Sequence, residues 1–431
     1  MKYLIPILAT LPSLAAAAPV KLDVSTGQPV LLQGQEQTTY LKIGLQGQQT
    51  AQVRTPVNLA IVLDRSSSMN GDRIVKAKEA ALLVLQRLTA DDIVSIITYD
   101  STVEVLVPAT KLTDREALEA RIRAIEPRGS TALFAGVSKG LEEARKFLSN
   151  TRVNRVILLS DGQANVGPSS PNELARLGAS AGKEGISITT LGLGLGYNED
   201  LMAQLAEKSD GNHAFVADAS DLTRIFTAEL GDVMSVVAQE VTVKVKLNDG
   251  VTPLRVLNRD AQIYGDQVIL SLNQIYAKQE KYFLLEVKLP KGKAGQTMPI
   301  AQVDVSYADV ASGGVGRLTS QADVRYTHNV AEASQAENKP VMVAAVEAIA
   351  VQANRQAVAL RDQGKVKEAE KALKDNAAYL KKNASQYKSS RLDTYGEQNQ
   401  YEADNLDDGN WNNTRKAMRK SQHTLENQQS Y

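Results

Sequence analysis

The apolar run Val57-Asn58-Leu59-Ala60-Ile61-Val62-Leu63 stops at Asp64-Arg65-Ser66-Ser67-Ser68, and that junction constrains the fold more than any other stretch of the chain. A run of this length and composition suits a strand buried on both faces. Its end places one carboxylate and two hydroxyls at alternate positions. Hard divalent cations such as Mg²⁺ take oxygen ligands of this kind and keep some waters. Two further segments carry complementary oxygens. One is Gly129-Ser130-Thr131-Ala132-Leu133; the other is Ser160-Asp161-Gly162, which follows a second apolar run, Val156-Ile157-Leu158-Leu159. Taken singly, each segment has an ordinary explanation, because Asp and Ser cap helices and Asp-Gly forms turns. Three such segments in one chain, two of them directly after strand-like runs, argue for a shared metal.

Between residues 55 and 238 strand-like runs alternate with helical periodicity. Residues 74–88, 133–148, 172–181, 199–207 and 222–237 carry apolar side chains at helix spacing, whereas residues 92–99 and 186–191 read as strands, the first with a hairpin partner around residues 103–106. Such alternation predicts an α/β fold, a doubly wound and mostly parallel sheet with helices on both faces. Ligands on these sheets gather at the carboxyl ends of the strands, where Asp64 and Asp161 fall.

The flanks read differently. Residues 19–54 and 239–328 show period-two strands, and the first group is too short to bury a core alone. The two are expected to form one β-sandwich with the α/β domain inserted between them. Asn248-Asp249-Gly250 reads as a hairpin turn after a cleanly alternating strand. Residues 333–385, rich in Ala, Glu, Lys, Gln and Leu, read as a helical hairpin turning near Gly364. Residues 386–431 are rich in Asn, Gln, Ser and Asp, and are expected to be a mobile polar tail with a short helix near residues 411–425.

The three oxygen-bearing segments resemble the metal-ion-dependent adhesion site of von Willebrand factor type A domains. In that family a D-x-S-x-S loop, a threonine from a second loop and an aspartate from a third share one cation. Carried over, the resemblance implies the ligands Asp64, Ser66, Ser68, Thr131 and Asp161, with Thr131 and Asp161 acting directly or through water. The family's first loop often reads D-x-S-G-S, so Ser67 stands at the glycine position. Arg65 sets a cation beside the loop and is expected to point outward. The resemblance implies Mg²⁺, with Mn²⁺ or Ca²⁺ as alternatives, and a protein partner whose acidic side chain replaces a metal-bound water. It also implies recognition rather than catalysis. Secreted relatives that embed such a domain in a β-rich platform support the single sandwich. In some relatives the helix corresponding to residues 222–237 shifts when the metal changes ligands.

Composition narrows the address and the partner. Lys2, the apolar residues 3–14 and Ala15-Ala16-Ala17-Ala18 form a signal-peptide pattern spanning residues 1–18, so export is expected, to the periplasm first and otherwise to the cell surface or the medium. The 49 basic and 49 acidic side chains balance, which disfavours nucleic acid as a partner. The chain has no cysteine, which closes disulfides, thiolate metal sites and a lipoprotein anchor. No later segment has the apolar length of a membrane span.

Enzyme readings fare worse. Only His213, His328 and His423 exist as histidine bases. The G-x-S-x-G matches at residues 136–140 and 178–182 fall in the helical stretches 133–148 and 172–181 rather than at a strand-to-helix elbow, and His213 is expected at the surface. Gly192-Leu193-Gly194-Leu195-Gly196 does not have the spacing of a dinucleotide or P-loop fingerprint. Residues 404–410 offer calcium-type ligands, but Arg415 stands where the closing Glu is required. The chain is therefore expected to be a non-enzymatic, cation-dependent protein-binding module of the bacterial envelope, for adhesion or assembly. Its rivals are a scaffold that works through the C-terminal helices and, further off, a metal-dependent hydrolase.

Overall fold

The computed structural model describes residues 18–49 and 54–429. The expected signal peptide lies outside the described residues except for Ala18. The chain opens with β1 (Val20–Thr26), β2 (Val30–Leu32) and β3 (Gln37–Gly47). An alternating unit follows: β4 (Val57–Asp64), α1 (Asp72–Arg87), β5 (Ile93–Tyr99), β6 (Val103–Lys111), α2 (Arg115–Arg123), α3 (Leu133–Arg145), β7 (Val153–Ser160), α4 (Pro171–Lys183), β8 (Ser187–Leu193), α5 (Glu199–Lys208), β9 (His213–Val216) and α6 (Leu222–Met234). Strands then return as β10 (Val236–Leu247), β11 (Thr252–Val256), β12 (Gln262–Tyr264), β13 (Gln267–Tyr276), β14 (Glu280–Leu289), β15 (Thr297–Asp309) and β16 (Val315–Thr327). Helices α7 (Val330–Gln335), α8 (Lys339–Asp362), α9 (Val366–Tyr387), α10 (Ser390–Asp404) and α11 (Asp408–Glu426) complete the chain.

The alternating unit builds one six-stranded sheet in the order β6-β5-β4-β7-β8-β9. All neighbours are parallel except the hairpin strand β6. Every residue of β4, β5, β7 and β8 is buried, because helices cover both faces. Side chains alternate between two apolar layers. Val57, Leu59, Ile61 and Leu63 join the layer of α1 and α6, while Ala60 and Val62 join the layer of α3, α4 and α5. From β4 the chain winds first toward β5 and later returns to β7 on the other side. The crevice between β4 and β7 is thus the switch point of the sheet, where a ligand is expected to lie beyond the strand ends.

The remaining strands form two sheets, β1-β3-β14-β11 and β12-β13-β10-β15-β16-β2, packed on a common core. Strand β3, from before the α/β unit, pairs with β14 from after it over Gln37–Gln46 and Glu280–Leu289. The α/β unit is therefore an insertion into one sandwich, as expected. Among the described residues no helix is long and apolar enough to cross a membrane.

Two expectations are corrected. Asn248-Asp249-Gly250 makes a tight turn, with the Val251 N–H donating to the Asn248 carbonyl at 3.0 Å, but β10 and β11 lie in different sheets. Turn chemistry is local, whereas a strand's partner is set by the face it must bury. The polar stretch after residue 385 is not a tail. It folds into α10 and α11, which bury Leu392, Tyr395 and Met418. These helices also bury amides that satisfy one another: Asn354 Nδ2 donates to Asn399 Oδ1 at 3.0 Å and to Glu402 Oε2 at 2.7 Å, and Gln422 Nε2 donates to Asn354 Oδ1 at 2.7 Å. Hydrogen bonds within such a network offset the desolvation cost of burying it. The calcium-like residues 404–410 serve as a helix start, since Asp407 Oδ1 caps α11 by accepting from the N–H groups of Gly409 and Asn410.

Candidate metal centre

Asp64 ends β4 beside the switch point and is fully buried. Its Oδ1 accepts from the Ser66 N–H at 2.8 Å, which curls the loop back on itself. Its Oδ2 accepts from Ser160 Oγ at 2.6 Å and from the Tyr99 hydroxyl at 3.3 Å. Burial pushes the Asp64 carboxyl up to about 6, and the hydrogen bonds from Ser160 and Ser66 oppose that rise. A cation beside this group would favour its charged form.

The other oxygens close around it. Ser66 Oγ and Ser68 Oγ are 2.9 Å apart, and Ser68 Oγ donates to Asp161 Oδ1 at 2.7 Å. Asp161 sits one residue beyond β7 and is buried. Its Oδ2 pairs with the Arg73 guanidinium from α1, which also donates to the Ser68 carbonyl at 3.3 Å. Thr131 precedes α3, and its N–H donates to Asn165 Oδ1 at 2.8 Å. A methyl group added at Gly162 would lie 3.1 Å from Thr131 Oγ1 and 3.4 Å from Ser68 Oγ, so both hydroxyls face the same point beside Asp161. The structure thus brings all five expected residues together.

Backbone bonds hold the loops in register. The Ser67 N–H donates to the Gly129 carbonyl at 3.0 Å, the Arg128 N–H to the Arg65 carbonyl at 2.7 Å, and the Ala132 N–H to the Asp100 carbonyl at 2.8 Å. Gly129 has φ +71°, a conformation that favours glycine at this crossing. Ser67 does not adopt a positive φ; it opens a short 3₁₀ turn, Ser67–Met69, and needs no glycine. Arg65 differs from expectation. It is buried rather than outward, with Nε 2.9 Å from Asp100 Oδ2 and Nη1 2.8 Å from Glu104 Oε2. Asp100 is held at about 2: burial pulls it up, but hydrogen bonds from Thr102, Arg128 and Arg65 outweigh it. The charge of Arg65 is spent inside the protein. His213 is likewise fully buried, not at the surface, with Nδ1 2.8 Å from Thr190 Oγ1.

Ser160, Tyr99, Asn165 and Arg73 support the site but escaped sequence reading. Ser160 alone had a local sign, a hydroxyl one residue before Asp161. The donor set fits a hard dication: five oxygens, two of them carboxylate, with no nitrogen or sulfur. Among the described residues no cluster of three or more His, Cys, Asp or Glu competes with it.

Comparison with known proteins agrees with this geometry. The sequence model of the von Willebrand factor type A domain matches residues 58–228. An uncharacterized protein of Synechocystis sp. is 27% identical over 277 residues, covering 62% of this chain and 65% of that protein, so the chain spans less than two thirds of that relative. The solved von Willebrand factor type A structure from Catenulispora acidiphila superposes with a TM-score of 0.71 at 15% identity, over 89% of this chain and 91% of that one. The ArnB paralog VWA2 from Sulfolobus acidocaldarius gives 0.64 at 18% identity, over 95% and 98%. These two likenesses concern the fold, and their coverage takes in the sandwich and helices as well as the inserted unit. The α/β unit held in the sandwich is a von Willebrand factor type A domain.

Proposed function

We propose that this protein is a non-enzymatic, divalent-cation-dependent protein-binding module of the bacterial envelope, exported through its N-terminal segment. Asp64, Ser66, Ser68, Thr131 and Asp161 hold the cation, Mg²⁺ first and Mn²⁺ or Ca²⁺ as alternatives. The observation that carries this reading is the convergence of these five oxygen donors at the switch point of the sheet. When bound, the cation supplies a Lewis-acidic position to which a partner's carboxylate adds.

The protein's own residues prepare that position. Ser160 and Tyr99 fix the rotamer of Asp64, and Asn165 anchors the Thr131 loop. Two carboxylates leave the shell short of ligands, so water or an acidic side chain completes it. The rim is open: Ser67 and Ser130 are exposed, and Leu195, in the loop whose Gly196 abuts Asp161, is exposed as well. An acidic residue beside an apolar one is the partner chemistry this rim favours. His213 and His423 are buried against each other, with their Nδ1 atoms on Thr190 and Asn427 rather than on a serine of the site, which supports recognition over hydrolysis.

The test is thermal. Adding Mg²⁺ or Mn²⁺ should raise the melting temperature, because a ligand at a hundred times its Kd stabilises the folded state by about 2.7 kcal/mol. Asp64→Ala should abolish the rise. Capture of a partner from envelope extract should require the cation and fail with Asp64→Ala. A melting curve indifferent to every divalent cation would sink the metal reading. Undiminished capture by Asp64→Ala would favour a scaffold acting through its C-terminal helices.

A further inference from the structure

The outer edge of the type A domain meets α11 in a cleft of about 450 Å³ that lies apart from the metal centre. That size falls within the range of small-molecule sites, roughly 300–1,000 Å³. Phe215 of β9, Ile225 of α6 and Leu425 of α11 line its apolar side. Arg224 of α6, Lys420 of α11 and the single carboxylate of Asp221 line the other.

The charges are unbalanced. Lys420 is half-buried, and its ammonium finds no hydrogen-bond or ion-pair partner among the described residues. Arg224 pairs with Asp221 only at 3.4 Å, with both side chains largely exposed. Burial, and then the neighbouring Arg224, hold the Lys420 ammonium below its ordinary range, while Asp221 opposes them weakly. Thr424 Oγ1, on the same wall, is buried without a hydrogen-bond partner. A half-buried cation without a partner costs free energy unless an anion joins it. The ligand that would satisfy this wall carries a carboxylate for Lys420 and Arg224, a hydrogen-bond acceptor for Thr424, and a short aliphatic chain for Phe215, Ile225 and Leu425.

We propose that the cleft between β9, α6 and α11 is a binding site for a small aliphatic carboxylate. Lys420 is its principal anchor and Arg224 its second. The site is independent of the metal centre, and it would join the domain to the C-terminal helix through one bound molecule.

Titration calorimetry of the purified chain tests this with sodium octanoate, octan-1-ol and octylammonium as probes. Octanoate should bind, and the neutral and cationic chains should bind at least tenfold more weakly. Lys420→Met should weaken octanoate about ten- to a hundredfold, the loss expected for one charge-assisted hydrogen bond. Arg224→Gln, at an exposed position outside the core, should weaken it severalfold with an unchanged melting temperature. Lys420→Arg should retain binding. Silence of the wild type toward octanoate would overturn the proposal. So would equal affinity for octan-1-ol, or undiminished affinity in Lys420→Met or Arg224→Gln.

Discussion

Arg73 and Ser68 share Asp161, and at the scale of single residues this arrangement governs the candidate metal centre. The guanidinium is a tethered cation seated on one of the two carboxylates that a dication needs. Its side chain is 40% exposed, so solvent screens the pairing. Arg73→Met should therefore tighten Mn²⁺ binding about fivefold, equivalent to about 1 kcal/mol. Calorimetry at fixed ionic strength checks this. Weaker binding would show instead that Arg73 holds Asp161 in its ligating orientation. Close packing contributes as well. A methyl group at Gly136 would come within 2.6 Å of the Tyr99 ring, so α3 can sit against Tyr99 and keep its hydroxyl on Asp64 only because that position is glycine.

At the scale of elements, α11 is the part whose attachment responds to pH. His423 of α11 packs edge-on against His213 of β9, with ring centroids 5.9 Å apart. Burial, and then the charges of Lys420 and Lys416, hold His213 down to about 3. Burial, and then His213 and Arg355, hold His423 well below its ordinary range. Folded-state values below the unfolded value mean that the unfolded chain binds more protons as pH falls through 6.5. The stabilisation is complete above that pH and drains away as pH drops toward the folded values. Glu402 of α10 and Glu426 of α11 have the opposite sign: burial raises each to about 7, so acidification from pH 7 to 4.5 favours the folded state there. The difference between wild type and His213→Gln/His423→Gln isolates the histidine contribution. The double variant should lose less stability between pH 7 and 5 than the wild type, and hydrogen exchange should show α11 opening before α8 in the wild type at pH 5. Parallel pH profiles for the two proteins would refute this.

At the scale of the whole molecule, Arg155 fastens the inserted domain to its sandwich. It leaves β7 fully buried, donates from Nη2 to Gln274 Oε1 and to the Tyr276 hydroxyl, both at 2.6 Å, and from Nη1 to Thr189 Oγ1 at 3.1 Å. Glu229 of α6 lies 3.5 Å from the same Nη1. Helix α6 is thereby tied to the sandwich. Arg155→Met should destabilise the chain by about 3–5 kcal/mol by leaving Glu229 buried without its cation. Arg155→Met/Glu229→Gln should recover a measurable part of that loss in chemical denaturation. Additive losses in the double variant would show that the pair is not coupled. Arg415 and Arg419 of α11 pair with Asp200 of α5, with Arg415 Nη2 2.5 Å from Oδ2 and Arg419 Nε 2.7 Å from Oδ1, so the C-terminal helices also grip the domain.

The sequence by itself determined the alternating sheet and the insertion into a sandwich, and through a family resemblance it named the five residues that the fold brings together. Continuous apolar runs such as Val57 to Leu63 can only be buried on both faces, and a polar residue at the end of such a run lies at the sheet's ligand-binding edge whatever else the chain does. The tertiary structure alone decided three other things. Arg73 and Tyr99 reach the centre from elements with no local mark of that role. Arg65 turns inward to acidic partners 35 and 39 residues away in sequence. The Asn- and Gln-rich C-terminus folds onto apolar clusters while Asn354, Asn376, Asn399 and Gln422 share hydrogen bonds across α8, α9, α10 and α11. Polar burial depends on partners distant in the chain, and composition read locally carries no trace of them.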